Sequence, residues 1–89
     1  MSHADELTFI TLPHSIYSKD ENGRILCEIT FPEREPGRYC IERMYVAEEY
    51  IGTELPERLI RAALEQIAGE GGTVTAEDPY AKMFMSKKM

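Results

Sequence analysis

The most chemically distinctive segment of the 89-residue chain is residues 44–67, with the sequence MYVAEEYIGTELPERLIRAALEQI. It predicts a strand, a turn that contains Gly52, and a long amphipathic helix. A glycine before a helix lets backbone N–H groups approach a phosphate, and the helix N-terminus adds a partial positive charge. The same turn can equally be a simple change of chain direction. An enzymatic interpretation therefore depends on residues 50–56.

The cysteines and histidines do not form a metal-binding pattern. Cys27 and Cys40 are too few and too far apart for a zinc site, and His3 and His14 both lie near the N-terminus. We expect the two cysteines to be reduced and buried, because a free thiol behaves as a small apolar side chain.

The charge balance limits the partners of the chain. Sixteen acidic and ten basic side chains give a formal net charge of -6, which argues against nucleic-acid binding. An amine, a polyamine or a basic protein tail is a more compatible partner. The sequence has no apolar run that could span a bilayer, and its polar, acidic start does not resemble an export signal. We therefore expect a soluble cytoplasmic protein without a membrane partner.

The length of the chain is sufficient for one small domain with one core. We assign that domain to residues 15–89. Residues 1–14 are treated as an N-terminal segment that is either a strand or partly disordered. Residues 7–12 have strand character, which Pro13 interrupts.

The first strands are predicted to be antiparallel, because short turns join them. Residues 15–19 and 25–31 flank Asn22-Gly23, a dipeptide typical of tight hairpin turns. Residues 32–37 contain two prolines and a glycine and predict a turn, and residues 38–46 predict one further strand. In the strand at residues 25–31, alternation predicts a core-facing row of Ile25, Cys27, Ile29 and Phe31.

The second half of the chain changes to a helical period. The apolar stripe of the main helix is Leu55, Leu59, Ile60, Ala63, Leu64 and Ile67. Thr53 is the predicted N-cap, and Pro56 falls in the first turn, where a missing N–H is tolerated. Residues 73–77 predict a short strand. Asp78-Pro79 predicts the start of a last helix over residues 80–87, with an inner side formed by Tyr80, Met83 and Phe84.

This order of elements predicts an α+β (mixed α/β) fold. Antiparallel strands come first, a strand–helix–strand unit with parallel pairing follows, and a short C-terminal helix ends the chain. The order, together with IERMYVAEEYIGTELPERLIRAALEQI at residues 41–67, resembles the GCN5-related N-acetyltransferase (GNAT) superfamily. In that superfamily a strand ending in a pattern like LYVxPEYRGxGIG leads into the main helix. Met44-Tyr45-Val46 fits the strand end, and Gly52 fits the turn.

The short length resembles a truncated branch of the superfamily, and the resemblance extends from about residue 15 to the C-terminus. It implies acetyl-CoA or CoA as the cofactor, with the diphosphate at the turn before the main helix and backbone N–H groups near Val46 polarising the thioester carbonyl. The implied cofactor-binding residues are Met44, Val46, Gly52, Thr53, Glu54 and Leu55.

The resemblance also implies two catalytic residues. Glu42 corresponds to a strand glutamate that acts as general base in relatives, although a solvated strand acid is the alternative interpretation. Tyr80 lies near the position of a general-acid tyrosine, which is occupied here by Met85, and a core or rim aromatic is its alternative. The cysteine that the truncated branch often carries before its last helix is replaced by Asp78.

The turn departs from the family pattern at three positions. Ile51 stands where relatives have arginine or glutamine, Glu54 stands in place of a second glycine, and Pro56 removes an N–H. A carboxylate facing a diphosphate would cost about 1–4 kcal/mol at about 4 Å. A lost hydrogen bond to a charged acceptor would cost roughly 1.5–3 kcal/mol. The turn is therefore either a plain helix start or a weakened CoA site.

Three functions follow as hypotheses. The first is a small acetyl-CoA-dependent N-acetyltransferase-like protein that acts on a small amine or a basic protein, with weakened or lost activity. The second is a non-catalytic binding or interaction module on the same fold. The third is a homo-oligomeric or partner subunit that uses a sheet edge or the methionine-rich C-terminus, which contains Met83, Met85 and Met89.

Overall fold

Short strands in two sheets and two helices make up residues 7–88, the part of the chain that the computed structural model describes. The first sheet has the order β1-β2-β3-β6, and the second has the order β4-β5-β7. The strands are β1 (Ile10–Leu12), β2 (Ser15–Lys19), β3 (Ile25–Thr30), β4 (Glu33–Glu35), β5 (Arg38–Ile41), β6 (Arg43–Val46) and β7 (Thr73–Ala76). A 3-10 turn at Glu48–Tyr50 precedes α1 (Leu55–Gly69), and α2 (Pro79–Lys88) is the last element.

The strand directions confirm the predicted fold class. All pairs are antiparallel except β5 with β7, which are parallel and are connected through β6 and α1. β1 falls within the predicted N-terminal segment and pairs with β2, whereas residues 1–6 of that segment lie outside the described residues. The boundary between that segment and the domain remains a prediction.

The predicted hairpin between β2 and β3 is present. Gly23 has a φ of +86°, which a residue with a Cβ rarely adopts. Its N–H donates to the Asp20 carbonyl at 3.0 Å. The Asp20 carboxylate accepts the N–H groups of Asn22 and Arg24 at 2.9 and 3.0 Å. The Asp20 side chain therefore stabilises the turn in which it lies.

The turn predicted at residues 32–37 is wrong in part. Its middle residues, Glu33–Glu35, form the three-residue strand β4, which pairs with β5. Only the end of the segment turns, at Gly37, which has a φ of +75°. The Gly37 N–H donates to the Glu33 carboxylate at 2.7 Å, and this bond joins the turn to the start of β4.

The single strand predicted at residues 38–46 is also wrong, because it is split between the two sheets. β5 pairs with β7, and β6 pairs with β3. The break is a bulge: the Glu42 N–H donates to the Thr30 carbonyl at 3.0 Å, while the register pairs Thr30 with Arg43. An extra residue reverses the parity of the strand. The inward-facing residue is Ile41 before the bulge and Met44 after it.

The helix α1 covers the core. It packs against β2, β3 and β7. Five residues of the predicted stripe are buried, namely Leu55, Leu59, Ile60, Ala63 and Ile67, and Leu64 packs against them. Cys27, Ile29 and Phe31 of the predicted core row lie in the same cluster, but Ile25 is only half-buried and its predicted core position is wrong. Both cysteines are buried and free, as expected, and burial raises the pKa of Cys27 to about 11.

The helix α2 begins as predicted, after Asp78. The Asp78 Oδ2 accepts the Ala81 N–H at 3.1 Å, which is an N-cap interaction. Ala81 and Phe84 are buried, but Met83 is 50% exposed, so its predicted inner position is wrong. The inner face advances by three residues from Ala81 to Phe84, and Met83 falls on the opposite side. No helix within residues 7–88 is long and apolar enough to cross a membrane.

Candidate functional site

A cleft opens where the split strand leaves the second sheet. The Ile41 carbonyl accepts the N–H groups of Glu77 and Asp78 at 2.9 and 3.2 Å. These are the last backbone hydrogen bonds between the segment that contains β5 and the segment that follows β7. Beyond these bonds β6 continues along β3, while the segment after β7 leads into α2. One edge of β6 therefore faces the start of α2 instead of a strand.

This β6 cleft contains a cavity of about 400 Å³. That volume falls within the roughly 300–1000 Å³ of typical small-molecule sites. Most of its wall is apolar, with one carboxylate. The lining residues are Met44, Val46, Ile51, Gly52, Pro56, Asp78, Pro79 and Tyr80.

The β6 edge presents backbone donors to this cleft. The Met44 N–H donates to Asp78 Oδ1 at 3.1 Å, away from β3. The Ala47 N–H points the other way and donates to the Leu26 carbonyl at 2.8 Å. Because neighbouring residues of a strand direct their N–H groups to opposite sides, the Val46 N–H points into the cleft as the Met44 N–H does.

The α1 loop, defined as residues 51–55 and thus including the first residue of α1, borders the cleft at its other end. Gly52 has a φ of +88°, and a Cβ placed there would meet no atom within 4 Å. The Thr53 N–H donates to the Tyr50 carbonyl at 3.1 Å, and the Thr53 hydroxyl accepts the Leu55 N–H at 3.2 Å. Because α1 begins at Leu55, its N-cap is Glu54, which makes no side-chain cap bond. The predicted N-cap at Thr53 is therefore wrong by one residue, although the Thr53 hydroxyl accepts an N–H at the helix start.

Few donors remain at the α1 loop for a diphosphate. The N–H groups of Thr53 and Leu55 have partners within the protein, and Pro56 has none to offer. Over residues 7–88, the N–H groups that stay without a protein partner here are those of Gly52, Glu54 and Glu57. Two of these three residues carry a carboxylate, so the anion-binding capacity of the helix N-terminus is reduced.

The segment before the α1 loop is fixed by an ion pair. Arg24, in the β2–β3 hairpin, donates from Nη2 to Glu49 Oε1 at 2.8 Å and from Nη1 to the other carboxylate oxygen. The hydrogen bond from Arg24 lowers the pKa of Glu49 to about 2. The guanidinium is therefore already engaged by protein.

Glu42 lies at the bulge and does not line the cleft. Its side chain is 50% exposed and accepts a hydrogen bond from Arg34 Nη2 at 3.0 Å. The same Arg34 atom contacts Glu77 Oε1 at 3.3 Å. Glu42 therefore belongs to an ion-paired group outside the cleft, and its role as a base remains a prediction.

Tyr80 lies at the start of α2 and lines the cleft. Its ring stacks on Phe84 with centroids 6.4 Å apart. Burial, and then the nearby Glu57 carboxylate, raise the pKa of the Tyr80 phenol. The side chain therefore keeps its proton at neutral pH and is a potential proton donor in the cleft.

The sequence-predicted cofactor residues separate into two groups. Met44, Val46 and Gly52 line the cleft together with Tyr80. The other group lies outside the lining: Thr53 and Glu54 are exposed, and Leu55 is fully buried in the core. The roles of all these residues remain predictions.

Four lining residues lie outside the predicted set of site residues, namely Ile51, Pro56, Asp78 and Pro79. Ile51 is 67% exposed, and Asp78 was predicted only as a helix cap. An aspartate before a proline is a local signal for the helix cap, but no local pattern indicates the contact of Asp78 with Met44, which lies 34 positions away. Among the described residues, no group of three or more His, Cys, Asp or Glu side chains is placed to hold a metal ion.

Comparison with solved structures defines the class of fold. The chain is similar to a GCN5-like candidate N-acetyltransferase from Staphylococcus aureus, solved by solution NMR, with a TM-score of 0.75 and 25% sequence identity. The match covers 99% of this chain and 83% of that chain. Comparison with curated proteins gives no match.

The sequence itself places the chain in a family. The model of the GCN5-related N-acetyl-transferase family matches residues 15–89. The protein therefore belongs to the GCN5-related N-acetyltransferase family, as the resemblance predicted. The family and its fold support an acyl-CoA donor and an acceptor substrate as the general chemistry.

Proposed function

We propose that the protein is an acetyl-CoA-dependent N-acetyltransferase that holds the acetyl thioester and the adjoining pantetheine arm in the β6 cleft. The observation that carries this proposal is the exposed β6 edge. It directs the Val46 N–H into an apolar cavity of about 400 Å³ beside the Gly52 turn. An apolar wall with a fixed donor suits a thioester, which has one carbonyl oxygen and an apolar methyl group.

The Val46 N–H would stabilise the charge that develops during transfer. When an amine nitrogen attacks the thioester carbon, negative charge accumulates on the carbonyl oxygen. A fixed backbone donor aimed at that oxygen lowers the barrier, because it needs no reorganisation. The amide C–N bond forms, the C–S bond breaks, and the sulfur leaves with the electron pair.

Tyr80 is the proposed donor of a proton to the leaving sulfur. It lines the same cavity as Val46, and its raised pKa keeps the phenol protonated. Glu42 lies outside the lining and pairs with Arg34, so it would accept the amine proton only through water.

The acceptor is proposed to be a small amine or a basic protein segment, in a cytoplasmic setting. The net charge of -6 favours a cationic acceptor over an anionic one. Glu42 and Glu77 share one arginine, Arg34, on the bulge side of the split strand. A cation approaching that side would meet an excess of carboxylates.

The α1 loop supports a second candidate, a non-catalytic binding module on the same fold. Two loop N–H groups are used internally, Pro56 lacks one, and the side chain of Glu54 is exposed beside them. A diphosphate would therefore bind weakly. In this alternative, the cleft would bind an apolar or amine-bearing segment without chemistry.

One titration separates the two candidates. Acetyl-CoA is added to ¹⁵N-labelled protein, and thiol release is followed in parallel with a panel of primary amines. Amide shifts confined to residues 44–58, with amine-dependent thiol release, support the N-acetyltransferase. Shifts without thiol release favour the binding module. The absence of any response at about 1 mM ligand, the limit of weak binding, contradicts the proposed function.

A further inference from the structure

Asp78 makes two contacts of different kind at the mouth of the β6 cleft. Oδ2 accepts the Ala81 N–H at 3.1 Å and caps α2. Oδ1 accepts the Met44 N–H, also at 3.1 Å, across the gap between β6 and the start of α2. The first contact explains an aspartate before Pro79. The second contact is not needed by the helix, because one oxygen is sufficient for a cap.

The backbone holds this carboxylate in place. The N–H groups of Glu77 and Asp78 both donate to the Ile41 carbonyl, which fixes the chain where the strands separate. The side chain then reaches Met44, three residues beyond Ile41 and past the bulge. Its position follows from the same split of the strand that opens the cleft.

The two edge donors of β6 are consequently not equivalent. The Met44 N–H is taken by Asp78, whereas the Val46 N–H faces the cavity without a partner among the described residues. A carbonyl oxygen that enters the cleft could therefore accept a hydrogen bond from the Val46 N–H, whereas the Asp78 carboxylate already occupies the Met44 N–H.

We propose that Asp78 is a positioning residue that occludes the Met44 donor, so that a bound acyl carbonyl is held by the Val46 N–H alone. This inference rests on the proposed acyl-CoA site. Occlusion has two consequences for N-acetyl transfer. It removes a second hydrogen bond to the carbonyl oxygen, and it places a negative charge near the oxygen that becomes negative during attack.

A serine at position 78 separates the two contacts. Serine is a good N-cap, and its single oxygen is one bond nearer to the backbone. Asp78→Ser is therefore expected to keep the Ala81 cap and to release Met44. Asp78→Ala loses both contacts, so its difference from Asp78→Ser reports the cost of the cap. Thr53→Ala removes the hydroxyl that accepts the Leu55 N–H at the start of the other helix, and it is the matched control because it leaves Met44 untouched.

The first measurement uses the free protein. Amide hydrogen exchange of Met44 is expected to accelerate at least about tenfold in Asp78→Ser relative to the wild type, because its hydrogen bond to the protein is lost. In Thr53→Ala the Met44 rate is expected to stay unchanged. Equal Met44 exchange in the wild type and in Asp78→Ser would overturn the occluding contact itself.

The second measurement adds acetyl-CoA. In the wild type, the Val46 amide resonance is expected to shift and the Met44 resonance to stay. In Asp78→Ser, both are expected to shift, and acetyl-CoA is expected to bind about three- to tenfold more tightly through the additional hydrogen bond. A Met44 shift as large as that of Val46 in the wild type would overturn the proposal.

The two measurements distinguish failure of the inference from failure of the proposed function. If neither protein responds to acetyl-CoA while Met44 exchange still accelerates in Asp78→Ser, the acyl-CoA site is wrong and its carbonyl step falls with it. If acetyl-CoA shifts Val46 in both proteins and Met44 in neither, the site stands and the occluding role of Asp78 is overturned.

Discussion

The β6 cleft and the α1 loop are two halves of one predicted cofactor site, and they differ in what they offer a ligand. The cleft presents the Val46 N–H beside an apolar cavity. The α1 loop uses the N–H groups of Thr53 and Leu55 internally and is followed by Pro56. One half offers a single donor to a carbonyl, and the other has carboxylates on two of the three residues whose N–H groups remain for a diphosphate.

The difference follows from what each half depends on. The cleft results from the bulge at Glu42, which sends β5 and β6 into different sheets. A strand edge presents its N–H groups whatever its side chains are. The α1 loop depends on residue identity at single positions, because one proline removes a donor and one glutamate adds a repelling charge. Binding energy for a ligand is therefore expected to come mainly from the cleft.

Leu55→Ala is expected to have the largest effect, and the effect is on stability. Leu55 was predicted to bind the cofactor, but its side chain is fully buried in the core. Removing it should lower the free energy of unfolding by about 2–5 kcal/mol, as for other buried leucines. Urea denaturation monitored by circular dichroism measures this change.

Ile51→Ala is the paired variant on the other side of the comparison. Ile51 lines the cleft but is 67% exposed. Its truncation should change the free energy of unfolding by less than about 0.5 kcal/mol and weaken acetyl-CoA binding instead. A Leu55→Ala protein that is as stable as the wild type but fails to bind acetyl-CoA would contradict this expectation and support a cofactor-binding role for Leu55.

The double change Glu54→Gly, Pro56→Ala tests the missing half of the site. It removes a carboxylate and restores an N–H at the helix start. CoA affinity is expected to rise roughly tenfold to a hundredfold. Isothermal titration should show this gain for CoA but not for acetyl-pantetheine, which reaches the cleft and has no diphosphate.

A charge control accompanies that double variant. Glu65→Gln removes one exposed carboxylate from α1, far along the helix from its N-terminus. It should change CoA affinity by less than about twofold, because exposed charges beyond a Debye length are screened. An equal gain for acetyl-pantetheine in the double variant would contradict the division of the site into two halves.

Gly52→Ala addresses the shape of the α1 loop separately from its donors. Nothing lies within 4 Å of an added Cβ, so any cost comes from the φ of +88°. A left-handed conformation costs an ordinary residue about 1–2 kcal/mol of stability. Gly69→Ala is the matched control. Its added Cβ also meets nothing within 4 Å, and it ends α1, so alanine should stabilise by about 0.5–1 kcal/mol.

Elements with a strong local period could be predicted from the sequence. The apolar stripe of α1 and the hairpin at Asn22-Gly23 were both correct, because helical spacing and turn chemistry are set by neighbouring residues. The strand–helix–strand unit followed from their order. The split of residues 38–46 was missed, since the bulge is set by pairing with Thr30 in a distant strand.

The candidate site, like the fold, could be predicted only where local sequence determines the structure. Met44, Val46 and Gly52 meet in the cleft because a strand end and the following turn adjoin in sequence. The contact between Asp78 and Met44 joins residues 34 positions apart, so no local pattern could indicate it. What the chain can bind therefore depends on contacts that only the tertiary structure creates.

The smallest expected effect concerns the ion pair that ties the α1 loop side to the β2–β3 hairpin. Arg24 and Glu49 are 52% and 49% exposed, and exposed ion pairs contribute little to stability. Glu49→Gln is expected to lower the melting temperature by a few degrees at most at neutral pH. Glu48→Gln, on the same turn and without a side-chain ion pair in the described residues, is the control.

The pH dependence gives this small effect a distinctive sign. The hydrogen bond from Arg24 lowers the pKa of Glu49 from 4.5 to about 2 in the folded protein. A carboxylate with a lowered folded-state pKa stabilises fully above its unfolded value, and that stabilisation is lost as the pH falls through the folded value. The difference in melting temperature between wild type and Glu49→Gln should therefore be constant above about pH 5 and shrink between about pH 4.5 and 2. A difference that persists below that window would mean that Glu49 acts through packing, and that the loop side is held by more than its charge.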